Sequence, residues 1–338
     1  MTHDHFTIYV DYGRTVKASG VFRKALASFT PDTFTDPKYY PPEGTDGELV
    51  LRYFIFMVAI DHRTSRYEDF EGFVDGEFYH GADLLYRLGS RKFEEDPDFF
   101  SPEHMSRIGV NEVREWLKVK GREGRERTIW DPEVRAVLLR DLGLKLLRLY
   151  GGRVRNLIAS SENSLKWVGE GLIERMRVFK AYSDPVEKKA YLFVKFISRR
   201  RLFTYLDPEN SEVPVDNHLA RIALRMRLVL PDEYILQKVR LRHPFTWKED
   251  IGLRYAVRRA YKLVAKGAGT DPLILDDFLW MFGRACCTRE KPLCVRGCSG
   301  KCRKYSLCSD GCPFGEFCGW MSTPEEIIEH IYQDTYYY

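Results

Sequence analysis

The chain has 338 residues, of which 44% are hydrophobic and 30% are charged, and its formal net charge is +4. This composition is ordinary for a folded globular protein and excludes an intrinsically disordered chain. No stretch is long and apolar enough to span a membrane, and the sequence has no apolar signal region. We therefore expect a cytoplasmic protein that has no membrane partner and acts as a monomer.

The predicted elements are mostly helical. Residues 1–48 form an N-terminal extension with a short strand at 6–10 and turn-rich loops, and core helices follow between 47 and 87. The next helix begins after Asp131, has Pro132 in its first turn and ends at Gly151. Apolar spacing predicts further helices near residues 166–180, 185–201, 217–229, 248–266 and 274–285.

All eight cysteines lie between Cys286 and Cys318. Four of them have short spacings directly after a helical stretch: Cys287, Cys294, Cys302 and Cys308. Four thiolates at short spacings surround one soft metal centre, either a [4Fe–4S] cluster or a tetrahedral zinc ion. Zinc ribbons usually bring two Cys-x2-Cys pairs, so the longer spacings here favour an iron–sulfur cluster.

Other arrangements of the cysteines remain open. Cys298 competes with Cys302 as the third ligand, and the five-residue step to Cys308 favours Cys302. Four cysteines stay outside the predicted set and suit a second metal site, spare thiols or disulfides: Cys286, Cys298, Cys312 and Cys318. A tail closed by disulfides is the alternative to a metal site, and it requires an oxidising compartment or a hyperthermophilic cytosol.

Two further segments carry candidate catalytic residues. Asp216 precedes an amphipathic helical segment, where an aspartate caps the helix and stays ionised near the positive helix end. On the helix predicted after Asp184, Lys189 lies at the edge of the apolar face, whereas Lys188 and Lys195 point away. Partial burial would lower the pKa of Lys189 and yield a nucleophilic amine. A surface lysine with a buried stem is the alternative.

The cysteine spacing resembles the cluster loop of endonuclease III-type DNA glycosylases, Cys-x6-Cys-x2-Cys-x5-Cys, with a longer middle spacer. The segment Val-Pro-Val-Asp-Asn-His-Leu-Ala-Arg resembles the Val-Asp-Thr-His-x-x-Arg signature of helix-hairpin-helix DNA glycosylases, with Asn217 in place of threonine. The resemblance implies Asp216 as the catalytic aspartate and His218 and Arg221 as substrate-binding residues. It also implies four cluster ligands, which the spacing assigns to the set given above.

The same resemblance implies a two-lobed, mostly α, HhH-GPD-like fold with a C-terminal iron–sulfur cluster loop. The glycosylase-like domain would cover residues 49–285, with one lobe at about 49–120 plus 231–285 and the other at 121–230. The cysteine-rich loop would cover 286–320, and a tail 321–338.

Two more matches bear on the active site. Asp-Pro-Val-Glu-Lys-Lys lacks the glycines of the family's hairpin and resembles the archaeal 8-oxoguanine glycosylases, which implies Lys189 as the lyase nucleophile. His62 and Arg63 lie where the family has a turn that fills the space left by a flipped base, so they are expected to bind substrate. A helix end capped by polar residues is the alternative for this segment.

These features predict a DNA base-excision N-glycosylase, with lyase activity, that acts on double-stranded DNA containing a damaged base. One alternative is an N-glycosidase for a free modified nucleotide, because the segment from Tyr150 to Ile158 resembles a stretch of the queuosine-nucleotide N-glycosylases. The other alternative is a non-enzymatic iron–sulfur protein that binds nucleic acid.

Overall fold

The structure is a computed structural model that describes residues 5–298, 300–304, 307–308, 311–321, 323 and 326–338. Helices contain 51% of the chain, which confirms the predicted mostly α class. The glycosylase fold within that class stays a prediction. No helix in the described ranges combines the length and the hydropathy that crossing a bilayer requires.

The helices, in chain order, are α1 (Tyr12–Leu26), α2 (Gly47–Ala59), α3 (Ala82–Glu95), α4 (Pro102–Met105), α5 (Val110–Trp116), α6 (Pro132–Tyr150), α7 (Val154–Ala159), α8 (Leu172–Met176), α9 (Lys188–Arg199), α10 (Asn217–Arg225), α11 (Glu233–Arg240), α12 (Trp247–Ala268), α13 (Pro272–Ala285), α14 (Leu293–Arg296) and α15 (Lys301–Lys304). The strands are β1 (Ile8–Val10), β2 (Glu71–Val74), β3 (Glu77–His80), β4 (Lys118–Lys120), β5 (Glu126–Thr128) and β6 (Val229–Pro231). Three short 3-10 helices cover Pro97–Phe100, Lys180–Tyr182 and Pro208–Asn210.

The chain forms two compact units. Unit 1 comprises Met1–Asp32 and Ser211–Gln333, and unit 2 comprises Thr33–Asn210 and Asp334–Tyr338. These boundaries differ from the predicted extension and lobes, because β1 pairs with β6 and α1 packs on α12. The N-terminal segment is therefore part of the core of unit 1.

The core of unit 1 lies between α1, α10, α12 and α13. Phe22 of α1 meets Phe278 of α13 edge to face, with ring centroids 6.0 Å apart. The helix α12 begins with a capping box formed by Thr246 and Glu249 and ends at Gly269, whose φ of 71° is left-handed. The helices predicted near 217–229, 248–266 and 274–285 are confirmed by α10, α12 and α13.

The core of unit 2 surrounds α2, whose side chains are all buried from residue 53 to residue 59. This helix packs on α6, α7 and α9, and the ring centroids of Phe54 and Phe196 lie 4.9 Å apart. Strands β3, β2, β4 and β5 form an antiparallel sheet in that order. The helix predicted between Pro132 and Gly151 is confirmed by α6, which ends at Gly151 with φ 59°.

Two predictions of local structure were wrong. The sequence did not predict α1, because Gly13, Gly20 and Val16 lower helix propensity, although Asp11 caps this helix by accepting from Arg14 N at 2.9 Å. Packing on α12 outweighs the weak propensity. The helix expected at 166–180 is reduced to α8, because residues 167–171 form a turn.

Gly143 is expected to be intolerant of a side chain. A Cβ at this position would lie 2.6 Å from Ser106 N and 2.9 Å from Pro102 O, both of which are backbone atoms at α4. Because backbone cannot rotate away, Gly143→Ala should lower the free energy of unfolding by about 1–3 kcal/mol. Gly20→Ala in α1 is the control, since nothing lies within 4 Å, and it should raise that energy by about 0.5–1 kcal/mol. Urea titration measures both; equal effects would contradict the packing argument.

Candidate functional site

Asp216 is the N-cap of α10, as predicted. Its Oδ1 accepts a hydrogen bond from Leu219 N at 3.0 Å, and the residue is half-buried. Among the described residues, its Oδ2 accepts no hydrogen bond. One carboxylate oxygen is therefore fixed by the helix, and the other stays available at the positive end of the helix dipole.

Arg221 lies one turn further along α10 and is 1% exposed. Its guanidinium donates to Gly283 O at 2.9 Å and to Cys287 O at 3.1 Å, and it forms an ion pair with Glu329. All of these partners belong to unit 1. The predicted substrate-binding role of Arg221 is therefore corrected, because its donors are committed to the interior.

His218, the other predicted substrate-binding residue of α10, is half-buried. Arg221 Nη2 lies 3.0 Å from His218 Nδ1, and a guanidinium can only donate, so Nδ1 accepts and the ring proton is on Nε2. Burial of the ring lowers the pKa of His218, which favours this neutral form. The Nε2–H group can donate to a ligand.

Arg225 ties the last turn of α10 to the cysteine-rich segment. Its buried guanidinium lies 3.3 Å from Cys287 Sγ and donates to Thr288 O, Arg289 O and Ile327 O, each at 2.7 Å. Together with Arg221, it holds residues 287–289 against α10. The helix that Asp216 caps is therefore joined to the start of the cysteine-rich segment by hydrogen bonds from buried arginines.

Four thiols without a disulfide line one cavity at α10: Cys287, Cys294, Cys312 and Cys318. Burial raises the pKa of the Cys312 thiol to about 12 and also raises the pKa values of the Cys294 and Cys318 thiols. Such thiols keep their protons until a metal ion displaces them. The four thiols thus offer soft donors in the wall of one cavity.

The other cysteines form two disulfides, Cys286–Cys302 and Cys298–Cys308. The predicted ligand set is therefore corrected at Cys302 and Cys308, because a sulfur in a disulfide is not a thiolate ligand. Cys312 and Cys318 are thiols instead. The disulfides that the sequence left open as an alternative are present beside four thiols.

The donor chemistry of the four thiols fits both a [4Fe–4S] cluster and a zinc ion. The space that they enclose is about 20 Å³, which is the room of one water molecule. No three of the four sulfurs lie within 4.8 Å of one another, so as they stand they do not surround a single ion at bonding distance.

Lys189, in unit 2, is fully buried. Its Nζ donates to Ala59 O at 2.6 Å and lies 3.3 Å from His62 Nδ1. Burial, and then the neighbouring Lys188 and Arg135, lower the pKa of Lys189 well below its usual value. The predicted low pKa agrees with this environment, but the burial extends further than expected, since Lys188 is also buried.

His62 lies between Lys189 and Asp131. Arg135 Nη1 also lies 3.3 Å from His62 Nδ1, so that atom accepts and the ring proton on Nε2 faces Asp131 Oδ1 at 3.4 Å. Burial lowers the pKa of His62 well below its usual value and raises the pKa of Asp131 to about 6. No hydrogen bond joins His62 Nε2 to Asp131 Oδ1 among the described residues, so the carboxyl, the imidazole and the amine are neighbours and do not form a hydrogen-bonded chain.

The segment predicted to bind substrate through His62 and Arg63 is the C-terminal end of α2. His62 is buried, which corrects its predicted place on a substrate surface, while the backbone N of Arg63 donates to Tyr338 O at 3.2 Å. Arg135 donates to Ile60 O and, at 2.7 Å, to Arg63 O.

Lysines complete this arrangement around the end of α2. Lys188 Nζ donates to Asp61 O at 3.1 Å, in addition to the bond from Lys189 to Ala59 O. Carbonyls at a helix C-terminus lack partners within the helix and carry partial negative charge. In this structure Lys189 therefore acts as a cap of α2. Sequence reasoning missed Arg135 and Asp131 as members of this cluster, because their partners are distant in sequence.

No protein-family model matches the chain, and no curated protein matches it.

Asp131 is expected to make stability depend on pH. Its pKa is raised from 3.8 to about 6, so between these values the folded chain holds a proton that the unfolded chain has released. The free energy of unfolding therefore falls as pH rises through this window. Asp131→Asn removes this titration. As the pH rises from about 4 to about 6, the free energy of unfolding of the variant should therefore increase by about 1–3 kcal/mol relative to that of the parent. Urea unfolding of both chains across this range measures the difference. His62 is retained in both, so its titration cancels; a pH-independent difference would contradict the assignment.

Proposed function

We propose that the chain is a DNA base-excision N-glycosylase that binds duplex DNA, takes up a flipped damaged base and cleaves its N-glycosidic bond. The cysteine-rich segment would hold a structural [4Fe–4S] cluster. The observation that carries the proposal is that α10 begins at Asp216 and ends at Arg225 beside Cys287 Sγ. The Asp216 motif and the cysteine motif are distant in sequence, but α10 contains the first and contacts the second.

Asp216 would stabilise the positive charge that develops on the sugar as the bond to the base breaks. Its Oδ1 is held by Leu219 N–H, and its Oδ2 accepts no hydrogen bond among the described residues. A carboxylate held in advance at the site of developing charge requires little reorganisation during the reaction, which is the basis of electrostatic catalysis. His218, whose Nε2–H can donate, lies in the same first turn of α10.

The ligands of the proposed cluster are Cys287, Cys294, Cys312 and Cys318. The steps Cys287-x6-Cys294 and Cys312-x5-Cys318 match the outer pairs of the endonuclease III-type pattern. When bound, the cluster would supply structural cross-linking and no chemistry on the base. Arg225 would donate to Cys287 Sγ and so orient this ligand.

Lys189 is the proposed nucleophile of a lyase step, since a buried amine of low pKa is neutral and reactive. Attack on C1′ requires the amine to leave Ala59 O. That bond favours a second candidate, an N-glycosidase in which water is the nucleophile. Such an enzyme would act on DNA or on a free modified nucleotide.

Asp216→Asn should slow base release by about 100-fold or more, because an amide cannot offset the developing charge. Asn is also a good N-cap, so α10 should remain folded. Asp232→Asn is a matched control, since Asp232 caps α11 by accepting from Ile235 N at the same 3.0 Å, and its release rate should equal that of the parent. Duplexes with single lesions, assayed beside queuosine monophosphate, identify the substrate. Equal rates for both variants would remove Asp216 from the mechanism, and no release from any substrate would favour a non-enzymatic binder.

Lys189→Gln distinguishes the two nucleophiles. If Lys189 forms a Schiff base with the sugar, borohydride should trap a covalent protein–DNA adduct in the parent and none in Lys189→Gln. Lys145→Gln is the control, because Lys145 also donates to a main-chain carbonyl, that of Val178 at 2.8 Å, but lies outside this cluster and should keep the adduct. Duplex binding, measured in parallel, checks that each variant is folded. Base release from the parent without any adduct would identify water as the nucleophile and make the monofunctional glycosidase the better proposal.

A further inference from the structure

We propose that the two disulfides select the metal ligands, by removing two competing cysteines and by shortening the chain between the two halves of the site. This inference rests on the four-thiol metal site proposed above and not on the glycosylase activity. It assigns a role to the four cysteines that the metal site leaves unused: Cys286, Cys298, Cys302 and Cys308.

The competition follows from a duplicated spacing. Cys302 and Cys308 are separated by five residues, and so are Cys312 and Cys318. Either pair can therefore complete a site with Cys287 and Cys294 as far as the spacing is concerned. The choice between the two pairs has to come from the tertiary structure.

The position of the first disulfide makes this competition physical. Cys286 lines the same cavity as the four thiols, and its partner Cys302 is completely buried in the core of unit 1. A free Cys302 thiol would thus lie directly behind Cys286, which is part of the cavity wall. Bonded to Cys286, its sulfur has no charge to offer to a metal ion.

The second disulfide changes the connection between the halves of the site. Cys294 and Cys298 are separated by three residues, and so are Cys308 and Cys312. The Cys298–Cys308 bond joins these two short segments directly and excludes the intervening loop from the path. The covalent path from Cys294 to Cys312 is therefore three residues, one disulfide and three residues. A shorter path costs less conformational entropy when the four thiols gather around a metal.

Each disulfide forms by thiol–disulfide exchange with a disulfide donor. The two cysteine thiols release two electrons and two protons, and the donor is reduced to two thiols. The four metal-binding thiols do not take part. Oxidation and metal binding thus use different cysteines of the same segment.

Peptide mapping tests the division of the cysteines. The purified parent chain, without reductant, is unfolded with a chelator and alkylated. We expect alkylation at four cysteines, 287, 294, 312 and 318, and linked peptides for 286–302 and 298–308. Alkylation of Cys302 and Cys308 together with a linked Cys312 or Cys318 would overturn the proposal.

Two variants without disulfides test the selection itself. Cys286→Ser with Cys298→Ser leaves Cys302 and Cys308 as free competitors, whereas the fourfold Ser variant at 286, 298, 302 and 308 has no competitor. Iron, sulfide and zinc are measured per chain, and alkylation of the folded chain identifies the protected ligands. We expect mixed protection of both pairs in the double variant. In the fourfold variant we expect Cys312 and Cys318 to be protected together with Cys287 and Cys294. Without the disulfides, this variant should lose its metal to a chelator about 10-fold faster than the parent.

The remaining outcomes distinguish the selection by the disulfides from the metal site itself. Cys312→Ser with Cys318→Ser should lose the metal. In the metal-loaded double variant, Cys302 and Cys308 could remain fully reactive while Cys312 and Cys318 are protected, as in the fourfold variant. That result would overturn the selection by disulfides but would support the metal site. A parent chain with both disulfides but without iron or zinc would overturn the metal site, and the selection with it.

Discussion

Buried basic side chains that donate to main-chain carbonyl oxygens organise both clusters. In unit 1, Arg221 and Arg225 bind carbonyls at the start of the cysteine-rich segment. In unit 2, Arg135 and Lys189 bind the carbonyls at the end of α2. A hydrogen bond from a charged arginine contributes about 1.5–3 kcal/mol, and the loss of any of these donors leaves a buried carbonyl unsatisfied. The conformation of each segment therefore depends on side chains that are remote in sequence.

Local signals predicted the elements that depend on neighbouring residues. The bounds of α6 follow from Pro132 and Gly151, and the cap of α10 follows from Asp216, because a cap involves atoms within about four residues. Asp131 shows the limit of such signals. It stands at the N-cap position of α6, yet its φ is 52° and its carboxylate faces His62 and Arg135. Tertiary contacts outweigh the capping preference there.

The pairing of the cysteines was not predictable from the sequence. Clustered cysteines indicate a thiolate site, whereas the choice among eight of them depends on which sulfurs approach one another. The spacings of Cys302–Cys308 and Cys312–Cys318 are identical, so the sequence cannot distinguish them. The disulfides of Cys302 and Cys308 supply that information. Likewise, a helical wheel placed Lys189 at an apolar edge without indicating that α2 ends above it.

The surroundings of Lys189 and Asp216 place different demands on the two steps proposed for this chain, base excision and strand cleavage. The burial that lowers the pKa of Lys189 also surrounds its amine, and the bond to Ala59 O holds the amine at a helix end. A reactive amine and an accessible amine are thus opposing requirements at this position. Asp216 has no such conflict, because its fixed Oδ1 orients a second oxygen that no described residue binds. In the proposed enzyme, charge stabilisation by Asp216 would therefore need no rearrangement of unit 1, whereas a Schiff base on Lys189 would require the end of α2 to open.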